Sequence, residues 1–262
     1  MLTRLKYLGR VAAVALRSPM EFADRLSGQL EVRGERGLPK PTLNSTGDAV
    51  PELCRIIGQS PPPQLADEFE QVWAAVAAEL QASGHVLGKG YDGGRALAEV
   101  AFAAVRMLKP DVVVETGVAR GITSRVILEA MMRNGVGHLH SIDLPPLASG
   151  WEGDSATAVS AAVKSRWTYV RGASRRRLEP LLRQVGPVPM FIHDSLHTYK
   201  NMQYELQTGA RYLRPGGLIL CDDIEDNESF SDFVRQQGGA SFMVKEPYRT
   251  GFIGGLVPKP GH

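Results

Sequence analysis

The sequence predicts an α/β domain with a seven-stranded, mostly parallel sheet, helices on both faces and a C-terminal antiparallel hairpin. Two observations lead to this prediction. From residue 95 onward, short apolar runs alternate with amphipathic helical segments, a pattern typical of parallel strands joined by crossover helices. The last two apolar runs, 241–246 and 251–258, lie too close together for a crossover helix, so they must pair antiparallel.

The remaining elements follow from apolar periodicity and from Gly and Pro punctuation. The predicted helices cover residues 64–81, 95–108, 122–133, 156–164, 175–184, 199–213 and 229–237. The predicted strands cover residues 112–115, 138–143, 167–171, 189–194, 217–223, 241–246 and 251–258.

The length of 262 residues fits one large domain with an extension. A net charge of +2 excludes a strong field for nucleic acid or an anionic membrane, so no nucleic-acid partner is predicted. The one tight basic cluster, Arg175 to Arg177, is interpreted as a solvated helix face. Cys54 and Cys221 are far apart in sequence, which argues against a disulfide framework and favours a cytoplasmic location.

Residues 1–63 are predicted to form a helical extension with a Pro- and Gly-rich connector, serving as an interface or lid, and 64–262 the main domain. The connector, from about residue 34, is expected to be irregular apart from one helical turn near Cys54. The N-terminal apolar core, Val11 to Leu16, is too short to span a bilayer. It predicts a helix that packs on the domain or on a partner subunit of a homo-oligomer. The alternative is a membrane-surface helix whose phosphate contacts would be Arg4, Lys6, Arg10 and Arg17.

The first strand ends in an acid, Glu115, followed by a loop bracketed by Gly117 and Gly121. These glycines let a ligand approach the backbone closely. The loop lacks the G-x-G-x-x-G pattern of a dinucleotide site, and its acid would repel a pyrophosphate but attract an ammonium or sulfonium centre. Asp143, at the end of the second strand, can accept hydrogen bonds from both hydroxyls of a ribose.

The ordered set of acids and glycines resembles the class I S-adenosylmethionine-dependent methyltransferases, which have a Rossmann-like fold, over about residues 88–258. The resemblance implies S-adenosylmethionine as cofactor, with Asp143 on its ribose and Asp194 beside its methyl group. It also assigns the methionine part and the adenine to two groups. The methionine group is Glu115, Thr116, Gly117, Gly121, Thr123 and Ser124, and the adenine group is Gly172, Ala173 and Ser174.

Three acids end the fourth and fifth strands: Asp194, Asp222 and Asp223. Neighbouring strands lie about 4.8 Å apart, so these carboxylates can converge at one edge of the sheet. A divalent cation would offset their repulsion, and oxygen ligands suit Mg²⁺ or Mn²⁺. All three are therefore predicted metal ligands. His197, one helical turn after Asp194, is placed to take a proton.

The "DSLH" segment (194–197) resembles the D-x-x-H pattern of metal-dependent O-methyltransferases that act on macrolide sugars, and of cephalosporin-hydroxylase-like proteins. Catechol O-methyltransferase is a more distant likeness. The resemblance implies that His197 is the catalytic base, with Asp194 as its catalytic partner, and that the acceptor is the hydroxyl of a small molecule, first a saccharide and second a catechol or phenol. His193 is expected to be a hydrogen-bonded core residue, because neighbouring strand positions face opposite sides of the sheet.

Three other functions stay open at this point. A nucleic-acid methyltransferase is disfavoured by the "DSLH" segment, an iron-dependent hydroxylase by the spacing of His193 and Asp194, and a non-catalytic cofactor-binding protein by the intact acids. Two loops are candidate pocket walls: Leu144 to Ser155, with Trp151, and "GKGYDGG" (88–94).

Overall fold

The structure is a computed structural model that describes residues 2–85, 94–147, 155–247 and 250–259. Most of the two candidate pocket loops, including Trp151 and residues 88–93, lies outside the described residues.

Nine α-helices and one short 3₁₀ helix, Ala161–Arg166, occupy the described part of the chain. The α-helices are α1 Leu2–Arg17, α2 Pro19–Gly34, α3 Ala49–Ile57, α4 Leu65–Ala82, α5 Arg95–Leu108, α6 Ile122–Asn134, α7 Ser174–Val185, α8 Tyr199–Arg211 and α9 Ser229–Gln237. The strands are β1 Val112–Thr116, β2 His138–Asp143, β3 Trp167–Arg171, β4 Val188–His193, β5 Leu213–Cys221, β6 Gly239–Lys245 and β7 Phe252–Pro258.

The strands form one seven-stranded sheet in the order β3-β2-β1-β4-β5-β7-β6. The pairs from β3 to β5 are parallel, whereas β7 pairs antiparallel with both β5 and β6. The strand order reverses between β1 and β4, which is where open parallel sheets bind ligands. The predicted fold class, including the terminal hairpin, is confirmed.

Two apolar layers sandwich the sheet, because alternate strand residues face opposite sides. Val113 packs with the layer formed by α3, α4, α5 and α6. Its neighbour Val114 packs with the layer formed by α7, α8 and α9. The same alternation in every strand fixes the register and therefore the place where each strand ends.

Two segments differ from the sequence prediction. The connector contains a nine-residue helix, α3, whose Leu53 and Ile56 are buried in the core, so it is more than a single turn. The helix predicted over 156–164 is instead a turn followed by the 3₁₀ helix. Ala156 has a left-handed backbone (φ 59°), so this residue cannot be part of a right-handed α-helix.

Candidate active site

The carboxyl ends of the parallel strands form the floor of one large cavity. Backbone hydrogen bonds continue one residue beyond the strands: Gly117 N donates to Ile142 O, Asp194 N to Thr116 O, and Asp222 N to His193 O, at 2.8–2.9 Å. The cavity has a volume of about 1190 Å³. That exceeds the roughly 300–1,000 Å³ usual for a single small ligand, so two ligands have room.

Gly117 sits where β1 and β4 leave the sheet side by side. Its backbone is left-handed (φ 87°), and a Cβ atom at this position would lie 1.8 Å from the carbonyl oxygen of Asp194. No other residue fits there without moving the turn that carries Asp194. Gly121, at the other end of the loop, is similarly confined, because a Cβ would lie 2.8 Å from Val159 Cγ2.

The residues predicted to hold the cofactor divide into two groups. One group lines the cavity: Gly117, Thr123, Asp143, Gly172, Ala173, Ser174 and Asp194, with Ala119, Arg120 and Ile122 beside them. The other group, Glu115, Thr116 and Ser124, is fully buried beneath the floor and is not part of the lining. Gly121 closes the loop between them and does not line the cavity either.

Glu115 is held inside the domain by two hydroxyls. Ser124 Oγ and Ser141 Oγ donate hydrogen bonds to its Oε2, at 2.6 and 2.7 Å. Burial raises the pKa of Glu115 from 4.5 to about 7, although these two hydrogen bonds act against the rise. Its other oxygen, Oε1, has no hydrogen-bond partner in the described part of the chain. Glu115 lies beneath the cavity floor, so it does not contact the cavity directly.

Asp143 lines the cavity, and one of its two carboxylate oxygens is buried without a hydrogen-bond partner in the described part of the chain. Backbone amides of Ala119 and Leu144 contribute hydrogen bonds to the carboxylate, whereas Oδ2 has no partner among the described residues. Burial raises the pKa of Asp143 from 3.8 to about 6, against the lowering effect of those amides and of Arg171 and Arg25. A carboxylate that lines the cavity at this edge of the sheet fits the ribose contact predicted from the sequence.

His197 lies between two carboxylates on the cavity wall. Its Nδ1 is 3.2 Å from Asp223 Oδ2, and its Nε2 is 3.8 Å from Asp194 Oδ1. The Asp223 contact is at ion-pair distance but is not aligned as a hydrogen bond, since Nδ1 has no hydrogen-bond partner in the described part of the chain. The side-chain amide of Asn227 donates to the His197 carbonyl at 3.1 Å, which fixes the backbone that carries the ring.

The acids predicted to bind a metal do not all converge. The ligand atoms of His197, Asp223 and Asp226 lie within 4.8 Å of one another, and they are the only such group of three in the described residues. Asp194 and Asp222 are outside that group, and Asp222 is almost completely buried. Asp223 has a left-handed backbone (φ 48°), so it lies off the line of β5.

A buried carboxylate, Glu205 of α8, organises the turn that precedes His197. His193 Nδ1 lies 2.6 Å from Glu205 Oε2, and Ser195 Oγ donates to Oε1 at 2.6 Å. Thr116 Oγ1 and Asn201 Nδ2 also donate to this carboxylate. His193 is thus a hydrogen-bonded core histidine, as expected. Helical periodicity could only show that Glu205 faces inward, so the sequence analysis missed it.

Helix α2 covers the cavity. One stripe of its surface, at helical spacing, docks on the sheet edge: Glu21 on Arg171 (3.2 Å), Asp24 on Arg176 (2.7 Å), Glu31 on Arg175 (3.1 Å) and Glu35 on the backbone amide of Tyr199 (2.8 Å). The basic cluster is exposed, as the sequence interpretation expected. Arg175 and Arg176 are in addition ion-paired to α2, which the sequence analysis missed because the partner acids are distant in sequence and give no local signal.

The path of α2 follows from these contacts. It begins beside Arg171 at the end of β3 and ends beside Tyr199, after β4. The chain then continues to Lys40, whose Nζ contacts Asp226 Oδ1 beyond β5. The N-terminal segment therefore crosses the whole cavity, from the β3 side to the β5 side.

No helix within the described ranges combines the length and the hydropathy needed to cross a membrane. The surface of α1 and α2 does expose large apolar side chains, and they include Leu16, Met20 and Leu30.

Comparisons with known proteins agree with this architecture. Residues 114–224 match the sequence model of a family described as a methyltransferase domain. No curated protein matches the chain.

Three solved structures are similar in fold. The O-methyltransferase TomG from Streptomyces achromogenes, involved in tomaymycin synthesis and solved with S-adenosylmethionine, is 15% identical, with a TM-score of 0.53 over 71% of this chain and 89% of that one. An O-methyltransferase from Bacillus cereus in complex with S-adenosylhomocysteine is 15% identical, with a TM-score of 0.50 over 75% and 92%. An S-adenosylhomocysteine-bound methyltransferase from Podospora anserina is 12% identical, with a TM-score of 0.51 over 84% and 100%. The resemblance to class I methyltransferases predicted from the sequence is confirmed.

Proposed function

We propose that this protein is a divalent-metal-dependent O-methyltransferase that moves a methyl group from S-adenosylmethionine to a hydroxyl of a small molecule. The observation that carries the proposal is the place of His197. It lies between Asp223 and Asp194 on the wall of the cavity that also contains Gly117, Asp143 and Ala173. A proton acceptor and the predicted cofactor contacts therefore share one space.

Two findings support the methyl donor. The family match describes a methyltransferase domain, and solved structures of similar fold contain S-adenosylmethionine or S-adenosylhomocysteine. In this chain the side from β1 to β3 supplies the loop at Gly117, the carboxylate of Asp143, and the small residues Ala173 and Ser174. These fit, in order, an amino-acid portion, a ribose and an adenine. The bound cofactor supplies an electrophilic methyl group on sulfur.

The β5 side supplies the proton acceptor. Asp223 at 3.2 Å from Nδ1 favours a proton on that nitrogen and leaves Nε2 free to accept one. When the acceptor hydroxyl loses its proton to Nε2, the same carboxylate stabilises the imidazolium that forms. The Glu205 network and Asn227 hold this turn in place, so the geometry of His197 is set before any ligand arrives.

The carboxylates on this side fit a hard divalent cation such as Mg²⁺ or Mn²⁺. We assign Asp223 and Asp226 as its protein ligands, because their ligand atoms converge with that of His197. The predicted ligands Asp194 and Asp222 stay as candidates that would need to turn toward the group. A bound cation would lower the pKa of the acceptor hydroxyl and orient it.

A saccharide is the proposed acceptor, since the D-x-x-H segment at 194–197 resembles that of sugar-modifying relatives. Residues 1–63 act as a lid in this proposal, because α2 covers the cavity. The exposed Leu16, Met20 and Leu30 favour a homo-oligomer formed through α1 and α2. Light scattering of the full chain checks this last part, and a monomer at high protein concentration would reject it.

The decisive experiment measures methyl transfer from labelled S-adenosylmethionine to a panel of saccharides and phenols. Transfer is expected with Mg²⁺ or Mn²⁺, loss with a chelator, and recovery when metal is restored. Undiminished transfer in chelator would remove the metal from the proposal. Absence of S-adenosylhomocysteine binding by the folded protein, measured by calorimetry, would remove the proposed function.

A further inference from the structure

Two arginines at the C-terminal end of α2, Arg33 within the helix and Arg36 just after it, line the cavity and are exposed. Arg33 is in the last turn of the helix and Arg36 is in the turn that follows it, and both line the same cavity. Among the residues that the structure describes, neither arginine has a carboxylate partner. The geometry points to a subsite for an anionic group, and this inference rests on the proposed function.

The other cations of the N-terminal segment that line or reach the cavity are already engaged. Arg25 pairs with Glu21 at 2.7 Å, and Lys40 pairs with Asp226. All four acids of the docking stripe are likewise engaged by Arg171, Arg175, Arg176 or the α8 backbone. Arg33 and Arg36 are therefore positive charges that α2 does not need for its own docking.

The position of these arginines selects between two sources of an anionic group. The cofactor itself carries a carboxylate, and its predicted contacts follow β1, β2 and β3. Arg33 and Arg36 lie at and just beyond the C-terminal end of α2, which contacts the other side: Glu31 accepts from Thr198 Oγ1 at 2.9 Å, and Glu35 accepts from the amide of Tyr199. Those residues directly follow His197 in the chain. The arginines thus lie on the acceptor side of the cavity.

We propose that the hydroxyl acceptor carries a phosphate or carboxylate group, which Arg33 and Arg36 bind while His197 receives the proton of the reacting hydroxyl. A guanidinium presents paired donors that match either anion in a bidentate arrangement. The anion would also balance the positive charge of the arginines. A neutral sugar would leave both arginines without a role in recognition.

The experiment uses the full chain, with chelator present to exclude divalent metal. Calorimetry measures the binding of pyrophosphate and of malonate, as probes for a phosphate and a carboxylate, with and without S-adenosylhomocysteine. The test variant is Arg33→Gln/Arg36→Gln. The matched control is Arg17→Gln/Lys164→Gln, which removes the same charge from two exposed positions that do not line the cavity.

Wild-type protein is expected to bind at least one probe, the test variant to bind it more than tenfold more weakly, and the control to stay within twofold of wild type. The stronger probe identifies the anion. S-adenosylhomocysteine should bind the wild type and the test variant equally. A loss of S-adenosylhomocysteine binding in the test variant alone would assign the arginines to the cofactor carboxylate and overturn the proposal.

Equal anion binding by the wild type and the test variant, equal weakening in the control, or no binding of either probe would also overturn it. Failure of the proposed function is distinguishable, because it appears as absent S-adenosylhomocysteine binding in wild-type protein. The anion measurement without S-adenosylhomocysteine does not depend on that result.

Discussion

Lys40 Nζ contacts Asp226 Oδ1 at 2.5 Å, so a side chain of the N-terminal connector is bound to an acid of the candidate metal group. The hydrogen bond that Lys40 donates to the Asp226 carboxylate raises the pKa of Lys40, which keeps the ammonium charged. A cation that uses Asp226 must therefore displace an existing positive charge.

Lys40→Ala is expected to strengthen Mn²⁺ binding by up to about fivefold. The pair is largely exposed, and exposed pairs contribute only about 0.2–1 kcal/mol. Titration of Mn²⁺ followed by electron paramagnetic resonance gives the affinity. Lys164→Ala, an exposed position outside the cavity, should leave it unchanged. Unchanged affinity in Lys40→Ala would mean that the cation does not use Asp226.

The same titration separates the two candidate ligand sets. Asp223→Asn and Asp226→Asn are expected to weaken Mn²⁺ binding more than tenfold, because each removes a charged ligand atom from the converging group. Asp67→Asn, on the exposed face of α4, is the control. Full binding in Asp226→Asn together with loss in Asp222→Asn would restore the set predicted from the sequence.

His197→Ala should bind S-adenosylhomocysteine normally and lose turnover by about 10²- to 10⁴-fold, the range for removal of a general base. The ring lines the β5 side of the cavity, away from Asp143 and Ala173. Calorimetry and single-turnover methyl transfer give the two quantities separately. Turnover within a few fold of wild type would show that another group takes the proton.

Cofactor binding should depend on the ionisation of Asp143, whose pKa burial raises to about 6. The carboxylate accepts ribose hydrogen bonds better than the neutral acid does. The affinity for S-adenosylhomocysteine is therefore expected to fall about tenfold from pH 7.5 to pH 5, as most of the group becomes protonated. Asp143→Asn should bind weakly at both pH values. A wild-type affinity that does not change with pH would contradict this role.

Glu115 should make stability fall as the pH rises. Its pKa is 4.5 in the unfolded chain and about 7 in the folded protein, so the folded state binds more protons between these values. The free energy of unfolding therefore decreases through this window, by roughly 3 kcal/mol for about 2.5 pKa units, and levels off above it. Urea unfolding at several pH values measures this. Glu115→Gln should flatten the decrease, whereas Asp67→Asn should not.

The sequence predicted the edge of the sheet well, because the residues there are tied to strand ends. The alternating pattern of each strand ends at or just before Gly117, Asp143 or Asp194. The backbone hydrogen bonds between neighbouring strands then determine which residues lie beside them. The convergence of acids was harder to predict. Asp226 follows β5 in a turn where Asp223 adopts a left-handed backbone, and nothing in the local pattern requires that conformation.

Contacts between segments that are far apart in the chain also could not be predicted from the sequence. Charged residues such as Asp24 and Arg176 look solvent-exposed in a linear sequence, and only the folded chain pairs them. The helix that begins at Pro19 was not distinguished from the rest of the N-terminal extension. Its role as a cover depends on ion pairs with residues about 150 positions away.

Because the sheet edge supplies the floor and α2 supplies the ceiling, the two halves of this cavity can diverge independently. Gly28 marks how closely they meet, since a Cβ there would lie 3.3 Å from Leu196 Cδ2. Exchanging residues on the face of α2 that lines the cavity would change which molecules bind, while the residues at the sheet edge stay the same. This division offers a practical route to new substrate selectivity, in which α2 is replaced and the sheet edge is kept.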